Sequence, residues 1–244
     1  MNDYDAVVSP RYRKSKELPF RVHSEIPNHL ALLGELAGKA VLDLACGEGF
    51  YTRLIKRAGA RRVVGVDLSP DMIRLARAEE EARPLSIEYV NADAATLIGH
   101  EPFDVVSAAF LFCNASGPDV LDAMARAAFA QLAPGGRLVA TDSEMGFHPG
   151  IDYRPYGMTV GIDEPVKEGA RYSITFALPD GEEFTLHNYR NSHEAQESAF
   201  RKAGFRSVRW LVPEITPEGI AEYGSEFWRT YLAHPPVIRL ECVK

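Results

Sequence analysis

From Leu30 onward the chain alternates short apolar runs with stretches whose apolar residues recur at helical spacing. Residues 30–36 read as a helix stopped by Gly38, and 40–44 as a short apolar strand. A glycine-rich exit then leads to a helix over 50–58, closed by Gly59. A second strand is predicted over 63–67. The next helix runs over 70–82, with Ser69 as N-cap and Pro70 at its first position. Strands follow over 86–90 and 103–112, a helix over 118–132 that stops at Pro134-Gly135-Gly136, and a strand over 137–141. Strands this continuously apolar, separated by helices, predict βαβ units and a parallel sheet covered on both faces. Right-handed crossovers put the loops that follow the strands on one rim, where ligands bind in such sheets. Gly47, Asp67, Asp93 and Phe110 are therefore expected to meet.

Beyond Asp142 the pattern changes to an alternation of apolar and polar residues over 170–178 and 182–189, around Pro179-Asp180-Gly181. That is a hairpin signal. A helix over 192–203 ending at Gly204, a strand over 207–212, one helix over 217–233 and a last strand over 237–242 complete the pattern. Residues 1–29, interrupted by Pro10, Pro19 and Pro27, read as one or two short helices lying over something else, with the run Arg11–Lys16 as a solvated face or, alternatively, a place to hold an acidic group. The expected organisation is a lid segment (1–29), a binding core (30–142), an antiparallel cap insertion over the rim (143–191) and the C-terminal part of the core sheet (192–244). The fold class is α/β: a doubly wound, Rossmann-like, seven-stranded and mostly parallel sheet with its last strand antiparallel, plus the small antiparallel cap.

The 244 residues, 46% hydrophobic and 25% charged, fit one domain of ordinary size without staples. With 27 Lys+Arg against 34 Asp+Glu the formal net charge is −7, which argues against a nucleic-acid partner held by phosphate neutralisation. Cys46, Cys113 and Cys242 lie far apart and read as reduced thiols, so a cytoplasmic protein is expected. No signal peptide or membrane span is expected, and no metal site: His193-Glu194-Ala195-Gln196-Glu197 lacks the second histidine of a zinc helix.

The strongest chemical signal is Val41 to Thr52, VLDLACGEGFYT. Small residues at 45, 47 and 49 let a ligand approach the backbone, and the loop opens a helix. Eighteen residues after Gly49 stands Asp67, at a strand end where an acid accepts hydrogen bonds from ribose hydroxyls. A dinucleotide site would share these features. Counted from Gly47, however, its third glycine position holds Thr52, and Asp43 would repel a pyrophosphate while favouring an ammonium or sulfonium.

The order D-x-A-x-G-x-G (from Asp43), V-G-V-D (to Asp67), N-A-D (to Asp93), F-D-V-V (from Phe103) and L-x-P-G-G (from Leu132) resembles the class I S-adenosylmethionine-dependent methyltransferases, over roughly residues 35–142. More narrowly, the N-terminal tyrosine segment, the ACGEGFYT loop and the ending Phe227-Trp228, His234-Pro235-Pro236, Glu241-Cys242 are similar to small-molecule methyltransferases of bacterial secondary metabolism and antibiotic biosynthesis, the toxoflavin-type N-methyltransferases being the comparison. The resemblance implies S-adenosyl-L-methionine as cofactor and S-adenosyl-L-homocysteine as product. It implies that Asp43 and the Ala45 backbone hold the methionine amino group, that Gly47 and Gly49 admit the cofactor, and that Asp67 takes the ribose. Leu68 and Met72 would flank the adenine, Asp93 and the Ala94 amide would reach its exocyclic amine, Phe110 would stand near the methionine part, and Tyr12 would close over the site.

For the acceptor, a small metabolite methylated on nitrogen or oxygen, the resemblance points to Asn114 just past the fourth strand. His148 and His187 are the candidate bases, and Phe112, Tyr153, Tyr156, Tyr189 and Trp228 (with Tyr223) a candidate aromatic wall. Each has a plainer alternative: a tight turn for the glycines, a loop acid for Asp93, core for Met72, structural roles for the histidines, chance clustering for the aromatics. A nucleophilic Cys46 has no neighbouring histidine in sequence. Rival functions are an NAD-dependent oxidoreductase on the same sheet, a binding protein that transfers nothing, and an RNA or protein methyltransferase. A monomer or homodimer is expected.

Overall fold

Apolar strands that show no polar face must be covered on both sides, and the structure does this with helices. The computed structural model describes residues 8–97, 101–162 and 167–244. Residues 1–7 of the expected lid and 163–166 of the expected insertion lie outside the described residues. Helices α1 (Val8–Lys14) and α2 (Ile26–Leu33) precede β1 (Ala40–Leu44), α3 (Phe50–Arg57), β2 (Arg62–Asp67), α4 (Pro70–Ala82), β3 (Glu88–Asn91), β4 (Phe103–Ala109), α5 (Pro118–Gln131) and β5 (Leu132–Ser143). Then come β6 (Met158–Ile162), β7 (Arg171–Ala177), β8 (Glu183–Tyr189), α6 (His193–Ala203), β9 (Ser207–Leu211), α7 (Pro217–Tyr223), α8 (Ser225–Ala233) and β10 (Val237–Val243).

The large sheet has the order β3-β2-β1-β4-β5-β10-β9. The first five strands are parallel, and β10 runs antiparallel to both β5 and β9. Helices α5 and α6 bury Leu121, Ala125, Ala128, Ala199 and Phe200 on one face. Leu33 of α2, Ile55 of α3 and Ile73 and Ala76 of α4 cover the other. The fold is the doubly wound one that the patterning predicts. Register aligns Leu44 with Val66 and Ala108, and Asp67 with Asn91, so the strand ends open onto a common rim.

A second sheet, β6-β7-β8, is antiparallel throughout. The expected hairpin is β7 and β8, and β6 is a third strand that the patterning did not reveal. Its inner face carries Tyr172, Ile174 and Phe176 with Phe184 and Leu186, packed with Leu18, Phe20, Trp228 and Tyr231.

Among the boundaries that differ from expectation, such as a fifth strand that runs Leu132–Ser143 instead of 137–141, three have a local backbone cause. The helix expected over 30–36 ends at Gly34 instead of Gly38, because Gly34 takes φ +62° and its N–H bonds the Leu30 and Ala31 carbonyls. The expected helix over 217–233 is two helices, broken at Gly224 with φ +79°. The fourth strand stops at Ala109 because Phe110 adopts φ +61°. The N-terminal segment is also no loose cover. Ser15, Lys16, Leu18, Phe20, Arg21, Glu25 and His29 are buried, so the expectation of a solvated face fails at Ser15 and Lys16.

Candidate functional site

The loop between β1 and α3 is coiled by three left-handed residues, Ala45 (φ +56°), Gly47 (φ +56°) and Gly49 (φ +83°). For Ala45 and Phe110 that conformation costs roughly 1–2 kcal/mol each, a strain typical of functional loops. A Cβ on Gly49 would lie 2.3 Å from the Tyr89 hydroxyl, so only glycine fits. A Cβ on Gly47 would meet nothing nearer than the Met72 sulfur at 4.0 Å, which leaves that side of the loop open to a ligand. Asp67 holds the loop from the neighbouring strand: its Oδ2 accepts from the Gly47 N–H (2.8 Å) and its Oδ1 from the Ser69 N–H (2.8 Å). Burial raises the Asp67 pKa, and those two amides oppose the rise.

Asp43, 1% exposed at the end of β1, accepts hydrogen bonds from the Thr52 hydroxyl (2.7 Å) and the Ser107 hydroxyl (2.9 Å). Thr52, the residue that breaks the dinucleotide pattern, is thus a partner of Asp43. Ser107 is held in turn by His29 Nε2 (3.1 Å), whose Nδ1 meets the Thr141 hydroxyl at 2.9 Å. Burial lowers the His29 pKa to about 4, so this ring is neutral at physiological pH. Among the described residues no cation is bonded to Asp43, and burial raises its pKa to about 6 against the pull of the two hydroxyls.

Two hollows open at this rim. The first, about 310 Å³, is lined by Asp43, Ala45, Gly47 and Ala109 from the sheet side and by Tyr12, Lys16 and Tyr51 opposite. Glu48 also lines it but is paired with Arg53 (2.7 Å). The second, about 380 Å³, is lined by Phe20, Arg21, Phe110 and Asn114, and by Ile174, Phe176, Leu186 and Asn188 of the small sheet. Tyr12 lines both, and the consecutive residues Ala109 and Phe110 face one each.

Tyr12, Asp43, Ala45 and Gly47 therefore come together at the first hollow, and Phe110 and Asn114 belong to the second. Leu68, 45% exposed, follows Asp67, and Met72 lies buried behind Gly47. Asp93 is exposed and its Oδ1 accepts from the Ala95 N–H (2.8 Å); Ala94 is buried in the core.

Several expected acceptor residues lie elsewhere. Phe112 is buried edge-on against Phe200 beneath the sheet. Tyr153, Tyr156 and Trp228 spend their polar groups on the backbone carbonyls of His234, Phe227 and Gly219 and pack on one another or on α8. Tyr223 packs on Phe227. His187 and Tyr189 alternate with Leu186 and Asn188 along β8, so they occupy the strand face turned from the hollow. His148 lies beside His234, with its pKa lowered by burial, and lines neither hollow. Burial also pushes the Cys46 thiol up, which removes it as a nucleophile.

The patterning missed a buried charge cluster. Arg21 Nη1 donates to both Glu25 oxygens (2.8 and 2.5 Å), Tyr51 donates its hydroxyl to Glu25 (2.7 Å), and Lys16 Nζ lies 3.8 Å away. Burial would raise the Glu25 pKa, but Arg21 and then Lys16 outweigh it and hold the carboxyl below its usual range. The only sequence signal was the i, i+4 spacing of Arg21 and Glu25.

Residues 41–136 match a family model described as a methyltransferase domain. The chain carries a class I S-adenosylmethionine-dependent methyltransferase domain. The methyltransferase domain is similar to the demethylmenaquinone methyltransferase of Thermus thermophilus, 39% identical over 130 residues covering 50% of this chain and 56% of that protein. It is similar also to the ubiquinone biosynthesis O-methyltransferase of Xanthomonas euvesicatoria, 32% identical over 176 residues covering 70% of this chain and 64% of that one. The chain thus spans about half to two thirds of these curated relatives. Among solved structures, an S-adenosylmethionine-dependent methyltransferase from Mesorhizobium loti superposes with a TM-score of 0.63 at 20% identity, covering 94% of this chain and 100% of that one, a likeness of fold. Among the described residues no helix is long and apolar enough to cross a membrane, and no three His, Cys, Asp or Glu side chains cluster as metal ligands.

Proposed function

We propose that this chain is an enzyme that transfers the methyl group of S-adenosylmethionine to a nitrogen or oxygen atom of a small, flat acceptor, a heteroaromatic nitrogen being favoured by the resemblance to toxoflavin-type enzymes. The observation that carries this reading is the pair of hollows that share Tyr12 and meet at Ala109 and Phe110. One has donor chemistry and the other is largely apolar with a few polar groups on its wall, the make-up of a small-molecule site.

The first hollow fits the donor on its own features. Among the described residues Asp43 is a buried carboxylate bonded only to hydroxyls, so a cationic ligand supplies the charge it lacks. Gly47 offers an open backbone edge, and Asp67 keeps its carboxylate at the same loop for ribose hydroxyls. Leu68 presents apolar surface on the adenine side, and Lys16 supplies a cation for the methionine carboxylate. When bound, the donor supplies a sulfonium whose methyl is already activated for in-line displacement. The chain's own task is to orient the acceptor and exclude water, which lowers a barrier by roughly 7–11 kcal/mol at best. Tyr12 and Phe110 wall the junction. Neither His148 nor His187 lines it, so the acceptor atom attacks with a lone pair of its own, without a histidine base.

Calorimetric titration with S-adenosylhomocysteine and with NAD tests the reading. Micromolar binding of the former and none of the latter is expected, and the reverse preference overturns it. A methyl-transfer assay on flat N-heterocycles then separates an enzyme from a binding protein.

A further inference from the structure

Arg21 is the one cation on the wall of the second hollow among the described residues, and its surroundings are unusual. It sits on a wide helical turn, Arg21–Glu25, closed by the Ile26 N–H on the Arg21 carbonyl. Such wide turns gather at functional sites. The guanidinium carbon lies 5.0 Å from the ring centre of Phe20, 5.3 Å from Phe176, 5.5 Å from Tyr12 and 5.6 Å from Phe110. Glu25 takes Nη1, yet the Nε–H is fully buried and has no hydrogen-bond partner. A buried donor left unmade costs about 1–3 kcal/mol. The rest of the wall holds Met145, Ile174, Leu186 and Val237, with Asn114 and Asn188 as its uncharged polar members.

Charge counting bounds the ligand. Lys16 and Arg21 against Glu25, Asp43 and Asp67 leave one negative charge around the two hollows, the Glu48–Arg53 pair being neutral. The donor's sulfonium, ammonium and carboxylate, a net of one positive charge, cancel it. The acceptor's own charge is then met by the Arg21 N–H alone, which suits a monoanion and leaves a dianion under-compensated.

We propose that the second hollow binds a small aromatic carboxylate and that Arg21 selects it, the planar guanidinium offering its unpartnered N–H to the carboxylate while the surrounding rings hold the flat body of the molecule. This rests on the methyltransferase reading and narrows its acceptor class. An oxygen clamped by a guanidinium is a weak nucleophile, so the carboxylate anchors the molecule and another of its atoms takes the methyl group. Arg21 is then a specificity residue.

The test uses the full chain saturated with S-adenosylhomocysteine and three probes titrated by ligand-observed NMR: benzoate, the neutral benzamide and the dianionic phenyl phosphate. Benzoate is expected to bind at least about tenfold tighter than either of the others, the worth of one hydrogen bond to a charged group. Arg21→Gln is expected to erase that preference, read as the ratio of benzoate to benzamide affinity at saturating S-adenosylhomocysteine. Benzamide or phenyl phosphate binding as well as benzoate overturns the proposal, as does an Arg21→Gln variant that keeps the preference. Should that variant fail to fold, the Arg21 Nε–H resonance of the wild-type protein decides: it shifts with benzoate and not with benzamide if the proposal holds, and a shift with neither overturns it. If S-adenosylhomocysteine itself does not bind, the methyltransferase reading fails separately, and the same three probes titrated alone still decide the selectivity of the hollow.

Discussion

Asp43 and Glu25 are both 1% exposed; Asp43 lines the first hollow and Glu25 pairs with Lys16 and Arg21, which line the two hollows, yet their surroundings drive them in opposite directions. Asp43 is bonded to two neutral hydroxyls, and burial lifts its pKa to about 6. Glu25 is buried just as deeply, but Arg21, Lys16 and the Tyr51 hydroxyl outweigh the desolvation and hold its pKa down. The difference lies in what each carboxylate lacks. Glu25 has its counter-charges inside the protein and serves to keep Arg21 in place. Among the described residues Asp43 has none bonded to it, and a cationic ligand would offset the cost of burying it. A buried carboxylate with only hydroxyl partners marks a binding position more reliably than a buried ion pair does.

The largest expected effect comes from breaking the balanced side. Glu25→Gln leaves Arg21 and Lys16 buried without their anion, and a broken buried pair costs about 3–5 kcal/mol. Urea denaturation at pH 7.5 measures it. A loss below about 1 kcal/mol would mean that Arg21 and Lys16 reach water and that the pairing is incidental. The pH dependence has a definite sign: because the folded pKa of Glu25 is depressed, its contribution is present above the ordinary carboxylate range and is lost as pH falls through the folded value.

Asp43→Asn should do the reverse to stability. The native state holds its proton up to about pH 6 where the ordinary value is 3.8, so Asp43 lowers stability progressively as pH rises from 3.8 to about 6, by about 3 kcal/mol above that window. The neutral amide avoids this cost, since the Thr52 and Ser107 hydroxyls can rotate to accept as well as donate. The variant is therefore expected to melt higher than the wild type at pH 7.5 while binding S-adenosylmethionine about tenfold to a hundredfold more weakly. In the wild type, affinity for the cationic donor should rise with pH through about 6 and then level off. A flat profile from pH 5 to 8 would separate Asp43 from the donor.

The two sides of the chamber were unequally legible in the sequence for a physical reason. Asp43, Ala45, Gly47, Gly49 and Asp67 lie within 25 residues, on two strand–loop units whose geometry is set by local chirality and turn chemistry. The second hollow is assembled from positions as distant as Tyr12, Phe110, Phe176 and Val237, and no local pattern records that assembly. Residue type misled where polar aromatics were concerned. Tyr153, Tyr156 and Trp228 look like an acceptor wall, but each finds a backbone carbonyl and closes the core between α8 and the small sheet. Lys16 was hidden in a basic run that reads as solvated, because pairing is what permits burial and the partner Glu25 lies beyond the run. The side of a strand that faces a ligand is likewise a matter of register, which placed Asn188 on the hollow and His187 away from it.

Asp67 offers an intermediate case that sharpens the contrast. It is only partly buried, and the Gly47 and Ser69 amides oppose the rise that burial causes without reversing it, where the cations around Glu25 do reverse it. Asp67→Ala should weaken S-adenosylhomocysteine binding by about 1–3 kcal/mol, as expected for lost hydrogen bonds to a charged group. An unchanged affinity in calorimetry would remove it from the ribose. The next residue supplies the smallest effect. Leu68 is 45% exposed and belongs to none of the buried clusters, so Leu68→Ala removes apolar surface without opening a cavity and should leave the melting temperature within error. If its surface meets the adenine, the variant loses about 1 kcal/mol of donor affinity from unburied area alone. That loss should be the same at pH 5 and pH 8, because no charge is involved. An affinity change that tracked pH in Leu68→Ala would show that the substitution disturbs Asp67, and so that shape and charge on this loop are not separable.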